Sequence, residues 1–374
     1  MNASDKSKFI GNVNEDGYYD TYYYEYNLHY DLQPLAVIPE VHPASKVILC
    51  IVYSLMMPIC GVGNAMLMYV LLRHRKMRTV PNLLVANLAA SDFLVAVFCA
   101  PFNLTYYIKQ NWAFGEDMCV AAAYIKLVSL YVSTNSLLVI AIDRYIVIVN
   151  PLKPRMRAMA ACIAIVAIWA ISATIVMPTA MFTKTIQFWD NGVMMYYCGE
   201  FWKQSDIVAL KAYNVFLLIG EYVAPLGLMA FFYTSISRQL WQHRFTPTVV
   251  RQPHNVPNCN ADSTKKTIRL LVILVVIFAL SWLPYYSYTV YRDFFPLLHH
   301  DFVHSISIFY VVESIAMSNS MVNTIVYVLL NDNVRRKIRQ IPIDFRRLRE
   351  KRRRQRVVPN IQFIEQPNAN QNQT

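Results

Sequence analysis

The sequence has little charge for its length: only 16% of its 374 residues are Asp, Glu, Lys or Arg, whereas 56% are hydrophobic. This composition does not suit the solvated surface of a soluble protein of that size. The chain also lacks a Gly-rich phosphate loop and long internal repeats. Its first forty residues lack the basic start and apolar core of a signal peptide, so we expect the first hydrophobic segment to direct insertion.

What the sequence does contain is a series of long hydrophobic segments. Each of them can cross a hydrocarbon core about 30 Å thick. We identify seven: Lys46–Leu72, Asn82–Ile108, Asp117–Val149, Arg157–Phe182, Ile207–Gln242, Thr264–Tyr291 and His304–Leu330. The sequence therefore predicts an all-α membrane protein, a seven-transmembrane helix bundle over residues 46–330, with an outer tail over 1–45 and an inner tail over 331–374.

The formal net charge of +12 is concentrated in every second connection. Basic residues cluster at 73–78, 153–157, 265–269 and 335–356. The positive-inside rule then places the N-terminus outside the cell and the C-terminus in the cytoplasm. Because these clusters flank membrane segments, we interpret them as contacts for anionic membrane lipids and expect no nucleic-acid partner.

The outer tail is acidic and rich in tyrosine. Its segment GYYDTYYYEYNLHY contains seven tyrosines, and Asn2 with Ser4 forms an acceptor pattern for N-glycosylation. Such a tail is either disordered or a contact surface for a basic ligand. Both interpretations stay open.

Two outer cysteines and a turn motif predict the form of the second outer loop. Only Cys119 and Cys198 fall on the outer side, where disulfides persist, so we predict that they are bonded. Between the fourth and fifth segments, Asn191-Gly192 lies between two stretches rich in β-forming residues and predicts an extracellular β-hairpin. On the inner side, Val334, Ile338 and Ile341 have helical spacing and predict a short amphipathic cytoplasmic helix that is interrupted at Pro342.

Polar residues inside the hydrophobic segments form two predicted clusters. A polar group that faces lipid costs several kcal/mol, so these residues must meet inside the bundle. The deeper cluster contains one carboxylate and several hydroxyl and amide oxygens, which makes it either a site for Na⁺ as an allosteric ion or a plain hydrogen-bonded network. Its members are Asn64, Asp92, Ser133, Asn319, Ser320 and Asn323.

The outer cluster contains charges of both signs. Its charged members are Lys126, Glu221, Arg292 and Glu313, and aromatic residues crowd the same level. A pair such as Lys126 with Glu313 is either structural or part of an outward-opening pocket for a polar or peptide ligand. Further along the chain, Pro225 and Pro284 predict bends in the fifth and sixth segments, with Trp282 two residues before the second proline.

Taken in order, these motifs resemble the class A (rhodopsin-like) G-protein-coupled receptors. The resemblance rests on GVGN, NLAASD, Asp143-Arg144-Tyr145, Trp169, Pro225 with Tyr233, FALSWLP and NTIVY. It implies a switch in which Asp143 restrains Arg144 at rest and the inner end of the sixth helix moves outward on activation. The residues implied in this switch are Asp143, Arg144, Tyr145, Tyr233, Trp282, Asn323 and Tyr327.

Three stretches are similar to the prokineticin receptors within that class. They are SLYVSTNSLLVIAIDRY leading into NPLKPRM, then RDFFP, and then FYVVESIAMSNSMVNT. This resemblance implies a secreted, cysteine-rich peptide agonist and coupling to a heterotrimeric G protein, mainly Gq, with phospholipase C and calcium downstream. The implied ligand-binding residues are Lys126, Glu221, Arg292, Glu313, Asn103, Tyr107 and Tyr285. Asn103 departs from the pattern because those receptors usually have a glutamate there.

Two other departures concern signalling. Thr264, Lys265 and Lys266 occupy the region where many class A receptors have an acid that pairs with the arginine, so we expect a looser resting state with measurable basal signalling. In the inner tail, the only serine or threonine is Thr374, so we expect arrestin to bind through the third inner loop, where phosphorylation sites are available. Those sites are Thr246, Thr248, Ser263, Thr264 and Thr267.

Other protein classes fit less well. A retinal protein needs a lysine in the seventh segment, which has none, and an amine receptor needs an acid where Lys126 stands. His300 and His304 have a metal-ligand spacing but lack an evident third ligand, so we expect neither a metal site nor an enzyme. A transporter would show paired repeats. Within the receptor class, another neuropeptide ligand group or an orphan receptor remains open, and the expected location is the plasma membrane.

Overall fold

The structure, a computed structural model, describes residues 41–150, 156–190, 193–245, 259–295 and 302–341, together with 152, 154, 346, 349 and 350. Seven long helices and one short helix follow each other along these residues. They are α1 (Pro43–Arg73), α2 (Val80–Lys109), α3 (Glu116–Val149), α4 (Ala158–Phe182), α5 (Ile207–Phe245), α6 (Cys259–Phe294), α7 (Phe302–Leu330) and α8 (332–341). The predicted helix bundle is confirmed.

Local sequence explains where the first and third helices begin. In α1, Pro43 occupies the first turn, where its missing N–H costs nothing, and the His42 ring accepts a hydrogen bond from the Ala44 amide. Before α3, Gly115 has a φ of +81°, which favours glycine. Glu116 and Asp117 then lie in the first turn of α3, where acids interact favourably with the helix dipole.

Two of the helices contain a π-helical turn directly before a proline. In α2 this turn is Val95–Cys99, ahead of Pro101, and in α5 it is Ile219–Val223, ahead of Pro225. Proline cannot donate the backbone hydrogen bond of a regular turn, and a wider turn accommodates that loss. Pro284 lies inside the continuous helix α6.

Within the described residues, α1 to α6 are long and apolar enough to cross a membrane by length and composition. In the bundle, α3 packs against α2, α4, α5 and the outer hairpin, while α7 packs between α1 and α6. Many large apolar side chains on α1, α4 and α5 stay exposed, as expected for surfaces that face lipid. The core lies around α3, where Tyr131, Leu137 and Ile140 are fully buried.

The predicted hairpin and disulfide are both confirmed. Strands β1 (Thr183–Asp190) and β2 (Val193–Glu200) pair antiparallel in a register from Thr183 opposite Glu200 to Asp190 opposite Val193. That register leaves a two-residue connection, whose residues 191 and 192 lie outside the described ones. Cys198 is bonded to Cys119 of α3, with Cα atoms 5.8 Å apart.

On the inner side, the helices extend beyond the predicted segments. We predicted that the sixth segment begins at Thr264, but α6 already begins at Cys259, and α5 ends at Phe245 where Gln242 was predicted. The short inner helix is confirmed as α8, where Val334 is fully buried and Ile338 packs against the core. Residues 1–40 of the outer tail, which include Asn2, lie outside the described residues, as do His300 and Pro342.

Candidate functional site

Two side chains from different helices meet at the Glu313 carboxylate of α7 in the outer half of the bundle. The Lys126 ammonium of α3 is 2.5 Å from Glu313 Oε1, and the Tyr107 hydroxyl of α2 donates to Oε2. Glu313 is only 3% exposed, so burial of its charge is compensated by both partners. The ring of Tyr310 stacks on Tyr107 at 4.0 Å between centroids and supports the arrangement from α7.

Glu221 does not join this group. It lies in the π-helical turn of α5 and is buried, and its carboxylate accepts a hydrogen bond from Asn135 Nδ2 at 3.3 Å. The sequence placed it at the same level as Lys126, but the structure pairs it with a residue two and a half turns further along α3. Glu221 therefore belongs to a separate polar contact between α3 and α5.

Arg292 forms an ion pair with its neighbour Asp293 at the outer end of α6. Its Nε is 2.8 Å from Asp293 Oδ1, and Asp293 in turn accepts a hydrogen bond from Asn214 of α5 at 2.7 Å. Asp293 is buried, so this contact ties the outer ends of α5 and α6 together. Arg292 reaches the outer end of the bundle with its charge already balanced.

The remaining predicted ligand-binding residues surround these groups. Asn103 is buried on α2, and its Nδ2 has no hydrogen-bond partner within the described part of the chain. Tyr285 packs against Trp282 and Phe309, with ring centroids 5.6 and 6.2 Å apart. Together these side chains form a largely aromatic wall around a few charged groups, which is typical of ligand pockets.

The hairpin brings a further carboxylate to this region. Glu200, the last residue of β2, accepts a hydrogen bond from Trp202 Nε1 at 3.3 Å. Our sequence interpretation missed Glu200. The indication was its position two residues after Cys198, which the disulfide fixes above α3.

The deeper polar residues form the predicted cluster around Asp92. Its Oδ1 accepts hydrogen bonds from Ser320 at 2.8 Å and from Ser133 at 3.2 Å. Its Oδ2 and Asn319 Oδ1 are buried and have no hydrogen-bond partner among the described residues. Asn323 lies beside the same carboxylate without a hydrogen bond of normal geometry. Such a set of carboxylate, hydroxyl and amide oxygens fits a small hard cation.

Asn64 belongs to a contact between α1 and α7 rather than to the group around Asp92. Its Oδ1 accepts a hydrogen bond from Thr324 Oγ1 at 2.9 Å, and the same hydroxyl contacts the Ser320 carbonyl at 2.9 Å. A Cβ added at Gly63 would lie 2.6 Å from the Thr324 methyl group, so this close approach requires glycine.

The charged pair near the inner end of α3 is formed as predicted. Arg144 Nε is 3.0 Å from Asp143 Oδ2, and its guanidinium also forms an ion pair with the same oxygen. Tyr145 packs on Phe232 of α5 at 5.1 Å, while Tyr233 and Tyr327 are buried in the core. Trp282 is buried, and its indole N–H has no partner in the described part of the bundle.

One inner contact was not predicted. Lys266 of α6 forms an ion pair with Asp332 of α8, and Arg335 contacts the other oxygen of Asp332 at 2.8 Å. These side chains are largely exposed. The sequence identified Lys266 as a basic residue where other receptors have an acid, but it did not indicate a partner 66 residues further along the chain.

Comparison with known proteins agrees with this architecture. The family model described as "7 transmembrane receptor (rhodopsin family)" matches residues 63–327. Human prokineticin receptor 2 is 40% identical over 293 residues, which cover 78% of this chain and 75% of that protein. Human prokineticin receptor 1 is 39% identical over 296 residues, covering 78% and 74%. Bovine prokineticin receptor 2 is 38% identical over 314 residues, covering 83% and 81%. The chain therefore belongs to the rhodopsin family of seven-transmembrane receptors, which are not enzymes.

Proposed function

We propose that this receptor is activated by a secreted, cysteine-rich peptide of the prokineticin type. The observation that carries the proposal is the identity of 38–40% to receptors named for prokineticins over more than three quarters of the chain. The outer cluster supports it because Lys126, Glu313 and Arg292 provide charges of both signs, as a peptide with mixed charges requires. A small cationic amine fits less well because Lys126 would repel it.

The proposed output is activation of a heterotrimeric G protein, with Gq as the main partner and phospholipase C and calcium downstream. The pair of Asp143 and Arg144 would hold the resting state. On activation, Arg144 would turn toward the G protein as the inner end of α6 moves outward, and Tyr233 and Tyr327 would bridge toward it. This proposal includes a plasma-membrane location with the N-terminus outside.

The cluster around Asp92 is proposed as an allosteric Na⁺ site. Asp92, Ser133, Asn319 and Ser320 would hold the ion through their oxygens, two of which have no hydrogen-bond partner among the described residues. The bound cation would supply a counter-charge to a carboxylate buried between α2, α3 and α7. The protein's own part is to keep Asp92 in place through the two serine hydroxyls.

A calcium assay tests the proposed agonist class. Cells that express the receptor are exposed to purified prokineticin-type peptides, beside cells with Lys126→Ala and Glu313→Ala together. We expect a response that is lost in the double variant at equal surface expression. Lys109→Ala, which removes an exposed lysine from the outer end of α2, is the matched control and should respond like the wild type.

Two outcomes would redirect the proposal. If the well-expressed wild-type receptor is silent, the ligand belongs to another neuropeptide group or the receptor is an orphan. If the double variant responds normally, the pair of Lys126 and Glu313 is structural and the peptide binds elsewhere.

A further inference from the structure

The charged residues at the outer end of the bundle differ in how completely they are paired. Glu313 interacts with Lys126 and Tyr107, and Asp293 interacts with Arg292 and Asn214. Both of these acids are buried, and each has a cationic partner. Lys126 and Arg292 are therefore already neutralised by neighbouring acids.

Glu200 is different. It is exposed, and within the described residues it forms no ion pair; its carboxylate accepts a hydrogen bond from the Trp202 indole. Its strand is bonded to α3 through Cys198, and Trp202, which donates to the carboxylate, packs against Tyr213 of α5 with ring centroids 6.0 Å apart. The carboxylate therefore lies at the outer ends of α3 and α5. Of the three acids Glu313, Asp293 and Glu200, Glu200 is the one that forms no ion pair within the described residues.

The Glu200 carboxylate is also held in place. Its backbone pairs with Thr183 in the hairpin, and the disulfide at Cys198 fixes the strand two residues earlier. Trp202, which donates to the carboxylate, stacks on Phe182 at the end of α4 with centroids 3.7 Å apart. A carboxylate fixed in this way loses little conformational entropy when it binds a ligand group.

We propose that Glu200 determines ligand specificity by binding a cationic group of the peptide, either a lysine or arginine side chain or the N-terminal ammonium. This inference rests on the proposed peptide-receptor function. The bound cation supplies the missing counter-charge and makes a charge-assisted hydrogen bond to the carboxylate. The pair of Lys126 and Glu313 then stays intact below it and contacts other parts of the ligand.

The first test uses the functional receptor and a purified prokineticin-type peptide. Glu200→Gln keeps the shape and can still accept from Trp202, but it removes the charge. We expect its peptide potency to fall about 10- to 100-fold, as for loss of a hydrogen bond to a charged group. The same assay is repeated with peptide analogues in which each basic residue is replaced by glutamine or the N-terminus is acetylated. We expect one analogue to be weaker than the parent peptide on the wild type but equally potent on the wild type and on Glu200→Gln. Glu116→Gln, at the outer end of α3, is the matched control and should keep full potency.

The second test does not depend on the identity of the agonist. The melting temperature of the purified receptor is measured with about 10 mM acetyl-arginine amide or with the uncharged citrulline analogue. A probe that binds only the folded state raises the melting temperature. We expect a larger shift in melting temperature with the arginine probe in the wild type and in Glu116→Gln, and no difference between the probes in Glu200→Gln. Equal shifts in wild type and Glu200→Gln would overturn the proposal, as would unchanged peptide potency in the first test. A silent wild-type receptor with the arginine effect present would contradict only the proposed agonist class.

Discussion

Lys266 near the inner end of α6 and Asp332 in α8 form an ion pair that joins these two helices. In the proposed switch α6 moves outward on activation, and this pair would oppose the movement. We expect Asp332→Asn to raise agonist-independent signalling by less than about fivefold, since exposed pairs are weak. Inositol phosphate accumulation at matched surface expression measures this effect.

Control variants separate this pair from its neighbour. Arg335→Gln removes the other contact of Asp332 and should leave basal signalling unchanged. Exchange of the two charges, Lys266→Asp with Asp332→Lys, should restore the low basal signalling of the wild type. The hydrogen bond from Lys266 lowers the pKa of Asp332, so the pair is complete above the ordinary aspartate pKa and is lost only as the pH falls below it. Basal signalling that is identical in Asp332→Asn and wild type would contradict a restraining role.

The pair of Lys126 and Glu313 should be coupled in stability as well as in ligand binding. Removing one partner leaves a charge without compensation, so we expect Lys126→Met or Glu313→Gln alone to cost about 2 kcal/mol. This is less than for a fully buried pair because the Lys126 side chain is 22% exposed. The double variant should be more stable than either single one. Thermal unfolding followed with a thiol-reactive dye, which detects the buried Cys60 and Cys99, measures all four forms; strictly additive losses would argue against coupling.

The proposed Na⁺ site predicts an ion-specific stabilisation. The wild-type receptor should melt at a higher temperature in NaCl than in choline chloride of the same ionic strength, by the equivalent of about 1.4 kcal/mol at ten times the dissociation constant. Asp92→Asn should abolish the difference. Ser129→Ala removes another buried hydroxyl of α3 and should keep it. A sodium effect that persists in Asp92→Asn would refute the site.

The disulfide between Cys119 and Cys198 should contribute strongly to the stability of the outer half. The two cysteines are 79 residues apart, and closing a long loop typically stabilises a protein by about 2–4 kcal/mol. We expect Cys119→Ser with Cys198→Ser to lower the melting temperature and the amount of receptor at the cell surface. Cys50→Ser, at an exposed and unbonded position, should change neither. A double variant with normal surface expression would show that the hairpin packs without the bond.

Arrestin recruitment tests the expectation for the third inner loop. Alanine replacement of Thr246 and Thr248 in this loop, together with Ser263, Thr264 and Thr267, which lie in the first turns of α6, removes the predicted phosphorylation sites and should reduce agonist-driven recruitment several-fold. Replacement of Thr374 should have little effect. Proximity between labelled receptor and arrestin measures both, and recruitment that survives the five replacements would locate the phosphate contacts elsewhere.

Much of the architecture was predictable because a membrane imposes simple rules. The length of the hydrophobic segments predicted the helices. The pairing of Cys119 with Cys198 was predicted because disulfides persist only on the oxidising outer side of the membrane. The requirement that buried charges be compensated likewise predicted that Lys126 and Glu313 would meet. Tyr310 could have been added, since it lies three residues before Glu313 on the same face of α7.

The missed contacts depend on features that periodicity does not encode. Glu221 lies within a π-helical turn, whose side chains do not follow regular helical spacing, so its contact with Asn135 could not be predicted from the sequence. The partnership of Lys266 with Asp332 depends on how α8 leaves the end of α7. The direction of the Glu200 side chain depends on the register of the hairpin strands. The Asn-Gly motif predicts the position of the turn but not this register.

The hydroxyl of Thr324 has a mechanical consequence. A proline here would weaken the helix locally, whereas Thr324 keeps its backbone N–H, and its hydroxyl contacts both the Ser320 carbonyl of its own helix and Asn64 of α1. With Gly63 packed directly against its methyl group, α7 is fastened to α1 at this height. We therefore expect the inner end of α7 to rotate against α1 about Thr324 during signalling and not to bend locally at this residue.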